Sequence, residues 1–176
     1  MPEHAKKITF VIGGARSGKS SFALKCASDA SDLSGKKAFI ATAQAHDAEM
    51  NERIERHKLE RGVVWDTFEE PLYPGRTLGE IRDAYDVIVV DCLTLWLSNI
   101  MLADKQIENE IETFCSSLLN VNCSLFIVSN EVGMGIVPEN DLARRFRDMA
   151  GRLNQKTAAI ADEVYLVVAG IPLRIK

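Results

Sequence analysis

Eight consecutive residues, Gly13-Gly14-Ala15-Arg16-Ser17-Gly18-Lys19-Ser20, set glycine, lysine and serine at the spacing G-x-x-x-x-G-K-S. Residues of these types in this order wrap phosphates. The glycines let the main chain approach the oxygens, successive N–H groups supply positive potential, the lysine reaches the terminal phosphates, and the serine hydroxyl can ligate Mg²⁺. The apolar run Ile8-Thr9-Phe10-Val11-Ile12 precedes the motif, and Phe22, Ala23, Cys26, Ala27 and Ala30 follow it at helical spacing. A strand, a turn and a helix form the context that separates a nucleoside triphosphate site from a glycine-rich turn with a surface lysine. Lys19 is the first candidate catalytic residue.

Asp91 closes the apolar run Val87-Ile88-Val89-Val90. Alone, it reads as a strand-end acid that caps a turn. Beside a phosphate loop it reads as the acid that holds Mg²⁺, often through water, with Ser20 as the second ligand. Asp86, at the opposite end of that run, is expected to face away from the nucleotide.

His57 lies seven residues after Met50 and three after Ile54, on the inward-leaning face of a predicted helix. A neutral imidazole there can attack phosphorus and form a phosphoramidate, the chemistry of a two-step nucleotidyl transfer. By spacing alone the simpler reading, a structural or surface histidine, is favoured. His46 and His4 have less to recommend them. Arg53, Arg56, Lys58 and Arg61 read equally as a solvated helix face and as phosphate clamps. The stretch from Asn130 to Pro138 follows the carboxyl end of a strand, the edge where open α/β sheets bind ligands, although a connector would have the same composition.

The elements that must position these residues follow from periodicity. Strands are expected at 8–12, 37–43, 63–68, 87–91, 124–129 and 164–168, with a closing antiparallel strand at 173–175 after the turn Ala169-Gly170-Ile171-Pro172. Helices are expected at 20–30, 47–61 with Asp47 as N-cap, 78–84, 94–102, 107–119 and 141–162. Glu49/Arg53 and Glu52/Arg56 are supportive pairs on the second helix. The run at 87–91 is apolar on both faces and belongs near the centre of a parallel sheet. The expected fold is α/β, a P-loop NTPase-like, mostly parallel sheet with helices on both faces and an antiparallel C-terminal edge hairpin, in a single domain spanning 1–176.

At 176 residues, with 47% hydrophobic and 26% charged, the chain is long enough for one core and ordinary in composition. A net charge of −4 argues against a broad basic face for nucleic acid. Cys26, Cys92, Cys115 and Cys123 include no C-x-x-C pair and read as reduced thiols of a cytoplasmic protein. No export signal is indicated at the amino terminus, and Val87 to Leu102 is interrupted by Asp91, Ser98 and Asn99, so no membrane span is expected. The guanine-reading Asn-Lys-x-Asp pattern and a second phosphate loop are both absent from the sequence.

The phosphate loop, Ile40-Ala41-Thr42-Ala43-Gln44, the 47–61 helix with Arg56-His57-Lys58, and Asn130-Glu131-Val132-Gly133-Met134-Gly135-Ile136-Val137-Pro138-Glu139-Asn140 together resemble the bifunctional adenosylcobinamide kinase/adenosylcobinamide-phosphate guanylyltransferase family. Ala150-Gly151-Arg152-Leu153-Asn154-Gln155 and the ending from Ala161 to Lys176 are similar too, so the resemblance spans nearly the whole chain. It implies phosphorylation of the aminopropanol hydroxyl of adenosylcobinamide, then transfer of GMP from GTP to that phosphate, giving adenosylcobinamide-GDP and pyrophosphate. It further implies a guanylylated histidine, which maps to His57. Members can carry two adjacent histidines, the first proposed as nucleophile, where this chain has Arg56-His57.

Nucleotide contacts carried over from the family fall on Gly13, Gly14, Ala15, Arg16, Ser17, Gly18, Lys19 and Ser20 of the loop. The others fall on Thr42, Ala43, Gln44, Lys58, Leu59, Glu60, Arg61, Glu69 and Asp91. Mg²⁺, GTP or ATP as substrate, and a homotrimer are implied as well. Two other readings stand beside this one: another P-loop small-molecule kinase without a covalent nucleotide adduct, and a nucleotide-dependent regulatory module.

Overall fold

β-Branched and aromatic runs alternate with amphipathic stretches along the chain, and in the computed structural model they form strands and helices in turn. The structure describes residues 6–31, 34–45 and 48–176, and of Glu49, Arg53, Glu60 and Arg61 the backbone alone. The order is β1 (Ile8–Gly13), α1 (Lys19–Asp29), β2 (Lys37–Ala41), α2 (Ala48–Arg61), β3 (Asp66–Glu69), α3 (Pro74–Ile81), β4 (Val87–Asp91), α4 (Leu93–Leu102), α5 (Ile107–Leu118), β5 (Ser124–Asn130), α6 (Asp141–Ile160), β6 (Glu163–Val168) and β7 (Ile171–Arg174). The histidines His4 and His46 and the expected cap Asp47 lie outside the described residues.

The strands form one seven-stranded sheet in the order β3-β2-β4-β5-β1-β6-β7. β1 to β6 are parallel and β7 runs antiparallel to β6. Two adjacent residues with positive φ, Ala169 at 51° and Gly170 at 79°, make the tight turn between β6 and β7. Register brings the carboxyl ends of the parallel strands to one edge, with Gly13 beside Asn130 and Ala41 beside Asp91.

β4 shows why its run carries no alternation. Ile88 and Val90 pack with Leu93, Trp96, Leu97 and Phe114 on one face, and Val87 and Val89 pack with Ala27, Phe39 and Trp65 on the other. All four β4 side chains from Val87 to Val90 are fully buried. The first face carries α3 to α6 and the second carries α1. α4 buries Leu93, Thr94, Trp96, Leu97, Asn99 and Ile100, and the Trp96 and Phe114 rings meet at a 44° tilt with centroids 5.0 Å apart.

Several boundaries differ from expectation: β2 ends at Ala41 rather than 43, β7 takes in Ile171 and Pro172 because the turn needs only Ala169 and Gly170, and three further differences have local causes. The strand expected at 63–68 begins only at Asp66, because Gly62 (φ 67°) ends α2 and a 3₁₀ turn spans Gly62–Val64. Val63 and Val64 are exposed, and Trp65, edge-on to Phe39 at 6.4 Å, is the residue that anchors the segment. α3 begins at Pro74 rather than Leu78, since proline at the first turn lacks only an N–H that would have no helical partner. The Glu70 carboxylate accepts from Leu72 N and Tyr73 N to shape the entry. α6 stops at Ile160, which leaves the Asp162 carboxylate to accept from Ile8 N at 2.8 Å.

Replacing Phe114, 1% exposed against Trp96, should cost about 3–5 kcal/mol of unfolding free energy. Urea denaturation of Phe114→Ala should show the midpoint falling with an unchanged m-value.

Candidate functional site

The phosphate loop runs from the end of β1 into α1, and two of its glycines are there for stated geometric reasons. A Cβ on Gly13 would lie 2.5 Å from Val167 O and 2.6 Å from Ser17 Oγ, and Gly18 has φ 92°. Ser17 N donates to Gly14 O at 3.3 Å, and Gly170 N of the β6–β7 turn donates to Ser17 O at 2.8 Å, bracing the loop from outside. The Lys19 ammonium, 7% exposed, donates to Gly14 O at 3.1 Å. Buried Ser17 Oγ has no hydrogen-bond partner among the described residues. α1 has no acidic residue in its first turn, so its N-terminal potential is left for an outside anion.

A cavity of about 630 Å³ opens beside this loop. Lys19 and Ser20 line it from α1, Asp91 from β4 and Asn130 from β5; Ala43 and Gln44 line it from the segment after β2. Met50, Ile54, His57 and Lys58 of α2 line it too, with Glu69 at the end of β3. The structure therefore brings Lys19, Ser20, Ala43, Gln44, His57, Lys58, Glu69 and Asp91 together. Lys58 bridges to Glu69 at 2.6 Å and to Glu55 at 3.0 Å. Hydrogen bonds to Glu69, then to Glu55, raise the Lys58 ammonium above its ordinary pKa.

Other predicted residues have different surroundings. Leu59 is 82% exposed and outside the cavity lining. Gly14, Ala15, Arg16 and Gly18 are exposed on the loop. The side chains of Glu60 and Arg61, with those of the expected Glu49/Arg53 pair, are outside the described part, whereas Arg56 pairs with Glu52 at 2.7 Å. Asp86 sits at the far edge, accepting from Lys36 N at 2.8 Å.

Thr42 is fully buried, and its hydroxyl is engaged with the main chain of Cys92, donating to Cys92 O at 2.7 Å and accepting from Cys92 N at 2.8 Å. Its contribution is to hold the strand ends in place. Asn99, not singled out in the sequence, extends this tie: Nδ2 donates to Thr42 O at 2.7 Å and to Pro71 O at 3.1 Å. The signal was present as an amide inside the mostly apolar α4. Burial, and then the Asp91 carboxylate, push the Cys92 thiol up to about 12.

Mg²⁺ accepts one or two carboxylate or hydroxyl ligands and takes the rest from phosphates and water. The Ser20 hydroxyl and the Asp91 carboxylate, lining one cavity with Lys19, are a donor set of that kind. Among the described residues no group of three or more His, Cys, Asp or Glu forms an all-protein cage. Among them too, no helix is long and apolar enough to cross a membrane.

Comparison with known proteins agrees with this geometry. The family model described as cobinamide kinase / cobinamide phosphate guanyltransferase matches residues 9–175. The bifunctional adenosylcobalamin biosynthesis protein CobP of Pseudomonas aeruginosa is 42% identical over 168 residues, covering 94% of this chain and 95% of that protein. The bifunctional adenosylcobalamin biosynthesis protein CobU of Salmonella typhimurium is 40% identical over 181 residues, covering 94% and 98%. Among solved structures, an ATPase domain superposes with a TM-score of 0.54 at 12% identity, covering 92% of this chain and 69% of that one. The flagellar accessory protein FlaH from Methanocaldococcus jannaschii does so with 0.52 at 13%, covering 97% and 78%. At those identities the likeness is one of fold.

Two outcomes follow from the geometry. Asn99→Ala strips two main-chain carbonyls of their donor and should lower stability by about 1–3 kcal/mol while raising the KM for nucleotide, read by denaturation and steady-state kinetics. A thiol held up to about 12 stays protonated from pH 6 to 9, and only thiolate alkylates, so iodoacetamide at pH 8 should leave Cys92 unmodified until the protein unfolds. Half-buried Cys26 should react first, as peptide mapping would reveal.

Proposed function

The chain belongs to the cobinamide kinase / cobinamide phosphate guanyltransferase family, and we propose that it performs the second of these reactions through a guanylylated His57. It is an enzyme of cobalamin biosynthesis with a nucleoside triphosphate as substrate. The observation that carries the His57 assignment is the direction of neighbouring residues on α2. His57 lines the cavity that also holds Lys19, Ser20 and Asp91, whereas Arg56, where members can carry the first of two histidines, is exposed and paired with Glu52. Of the two positions, the second is the one within reach of a nucleotide.

In the first reaction the aminopropanol hydroxyl of adenosylcobinamide attacks the terminal phosphorus, the bond to the β-phosphate oxygen breaks, and the nucleoside diphosphate leaves. Lys19 and the loop N–H groups hold the phosphates and stabilise the charge that grows as the bond breaks. In the second, an imidazole nitrogen of His57 attacks the α-phosphorus of GTP, an N–P bond forms and pyrophosphate leaves. A phosphate oxygen of adenosylcobinamide phosphate then displaces His57, giving adenosylcobinamide-GDP and restoring the imidazole. Ala43, Gln44, Lys58 and Glu69 line the same cavity as His57 and are assigned to the nucleoside end. Mg²⁺, held by Ser20 and Asp91, would supply further neutralisation of the phosphates.

The enzyme is further assigned to the cytoplasm, as a homotrimer of single-domain subunits. Unpaired thiols support the first assignment, and one continuous sheet supports the single domain. Self-association is supported by the exposed apolar residues Val168, Ile171, Leu173 and Ile175 along the edge hairpin.

Incubation with Mg²⁺ and α-³²P-GTP should give a protein-bound label that is acid-labile and alkali-stable, and that is missing in His57→Ala. Full guanylyltransferase activity in His57→Ala would sink the assignment.

A further inference from the structure

Asn130 ends β5 at the edge where the phosphate loop begins. It lies beside Gly13 in the β1–β5 register, and Glu131 N donates to Gly13 O at 3.0 Å, so strand pairing runs one residue past it. Its main chain is engaged on both sides. Asn130 N donates to Thr94 Oγ1 at 2.7 Å, and Asn130 O accepts from Asn154 Nδ2 at 3.1 Å. Thr94 Oγ1 is in turn 3.1 Å from Ser129 Oγ, which ties the start of α4 to the same strand end.

The side chain is in the opposite condition. Its carboxamide has no hydrogen-bond partner among the described residues, Oδ1 being fully buried, and the residue lines the cavity shared by Lys19, Ser20 and Asp91. Oδ1 can only accept and stays buried, whereas Nδ2 is a donor without a partner among the described residues, and an acceptor oxygen of a ligand in the cavity would complete it. The phosphate loop passes from β1 into α1 and surrounds a polyphosphate with donors on that side. β5 borders β1 on the side toward Asp91, and Asn130 is the strand-end residue there. Phosphate oxygens on a polyanion only accept, so they select the NH₂ end of the carboxamide.

We propose that Asn130 is a catalytic residue of phosphoryl transfer, its side-chain N–H donating to an oxygen of the terminal phosphate alongside Lys19. A neutral donor there stabilises charge on the transferring group without adding a second cation. It also discriminates a triphosphate from a diphosphate, because only the triphosphate presents that oxygen. The proposal rests on the kinase activity of the family and not on the His57 intermediate.

The test compares binding of guanylyl imidodiphosphate and of GDP, both with Mg²⁺, to wild type and to Asn130→Ala by calorimetry, together with cobinamide phosphorylation. The triphosphate analogue should bind about tenfold more weakly to Asn130→Ala, GDP affinity should stay within about twofold, and kcat should fall at least about tenfold. Asn130→Asp, of the same shape, places a like charge against the phosphate and should weaken the triphosphate analogue further; it carries the same comparison if the alanine variant does not fold. Equal weakening of both nucleotides, or kcat within about threefold of wild type, would overturn the proposal. Absence of a GMP label on wild-type His57 would count against the guanylyl-histidine reading and leave this comparison standing.

Discussion

Beyond the last paired residues of β2 and β4, three hydrogen bonds keep the two strands together: Thr42 N to Asp91 O at 3.1 Å, and the exchange between the Thr42 hydroxyl and both main-chain groups of Cys92. In a parallel sheet the chain must turn away at this edge, and buried main-chain groups left without partners there would be costly. A threonine hydroxyl, able to donate and accept at once, satisfies both groups of Cys92. Asn99 then reaches from α4 to the carbonyls of Thr42 and Pro71, so the loops after β2 and β3 are held by one buried amide. The positions of Asp91, Ala43, Gln44 and Glu69 around the cavity depend on this set of bonds.

The phosphate side is organised by a different constraint, the absence of anything negative where an anion must go. α5 and α6 open with acids in their first turns, Glu108 and Glu110 in one and Asp141 in the other, which satisfy their own N-termini. α1 opens with Lys19-Ser20-Ser21 and carries none. α3 and α4 carry none either; what sets α1 apart in a chain of net charge −4 is the buried lysine at its start and a buried Ser17 hydroxyl without a partner among the described residues, which together mark where a polyphosphate would lower the free energy.

Much of this was legible in the residues. Val87 to Val90 reads as a doubly covered strand because no polar residue interrupts it, and the loop from Gly13 to Ser20 has a spacing that few other structures need. The failures share a cause. Val63-Val64-Trp65 has strand-like composition, but only Trp65 finds a core partner, and that partner, Phe39, is distant in sequence. The helix expected from residue 78 starts at Pro74, a boundary set by which carbonyls and carboxylates are nearby, here that of Glu70. Asn130 was legible as the start of a segment at the ligand-binding edge, but its separate role, like that of Asn99, depends on what an amide faces, and that is tertiary information. The coming together of Lys58, Glu69 and His57 with Lys19 around one cavity likewise joins segments that periodicity treats separately.

The family's two transfers make unlike demands on a protein, and the elements lining the cavity differ in how they are held. Lys19, Asp91 and Asn130 are carried by strand ends and a braced loop, anchored in the core and suited to positioning charge in advance of reaction. His57 is carried by α2, a mostly charged helix whose described residues Met50, Asn51, Ile54, Glu55, His57 and Lys58 line the cavity. Its tie to β3 is the Lys58–Glu69 pair, with side chains 36% and 62% exposed, and solvent screening keeps such a pair weak. An element held by little buried apolar surface opens at low free energy compared with the core. For a proposed carrier that must approach the α-phosphorus and then present the bound nucleotide to a bulky second acceptor, attachment of this kind is an advantage. The same attachment would be a defect beneath Lys19, where a displacement of an ångström would misplace the donors around the phosphate.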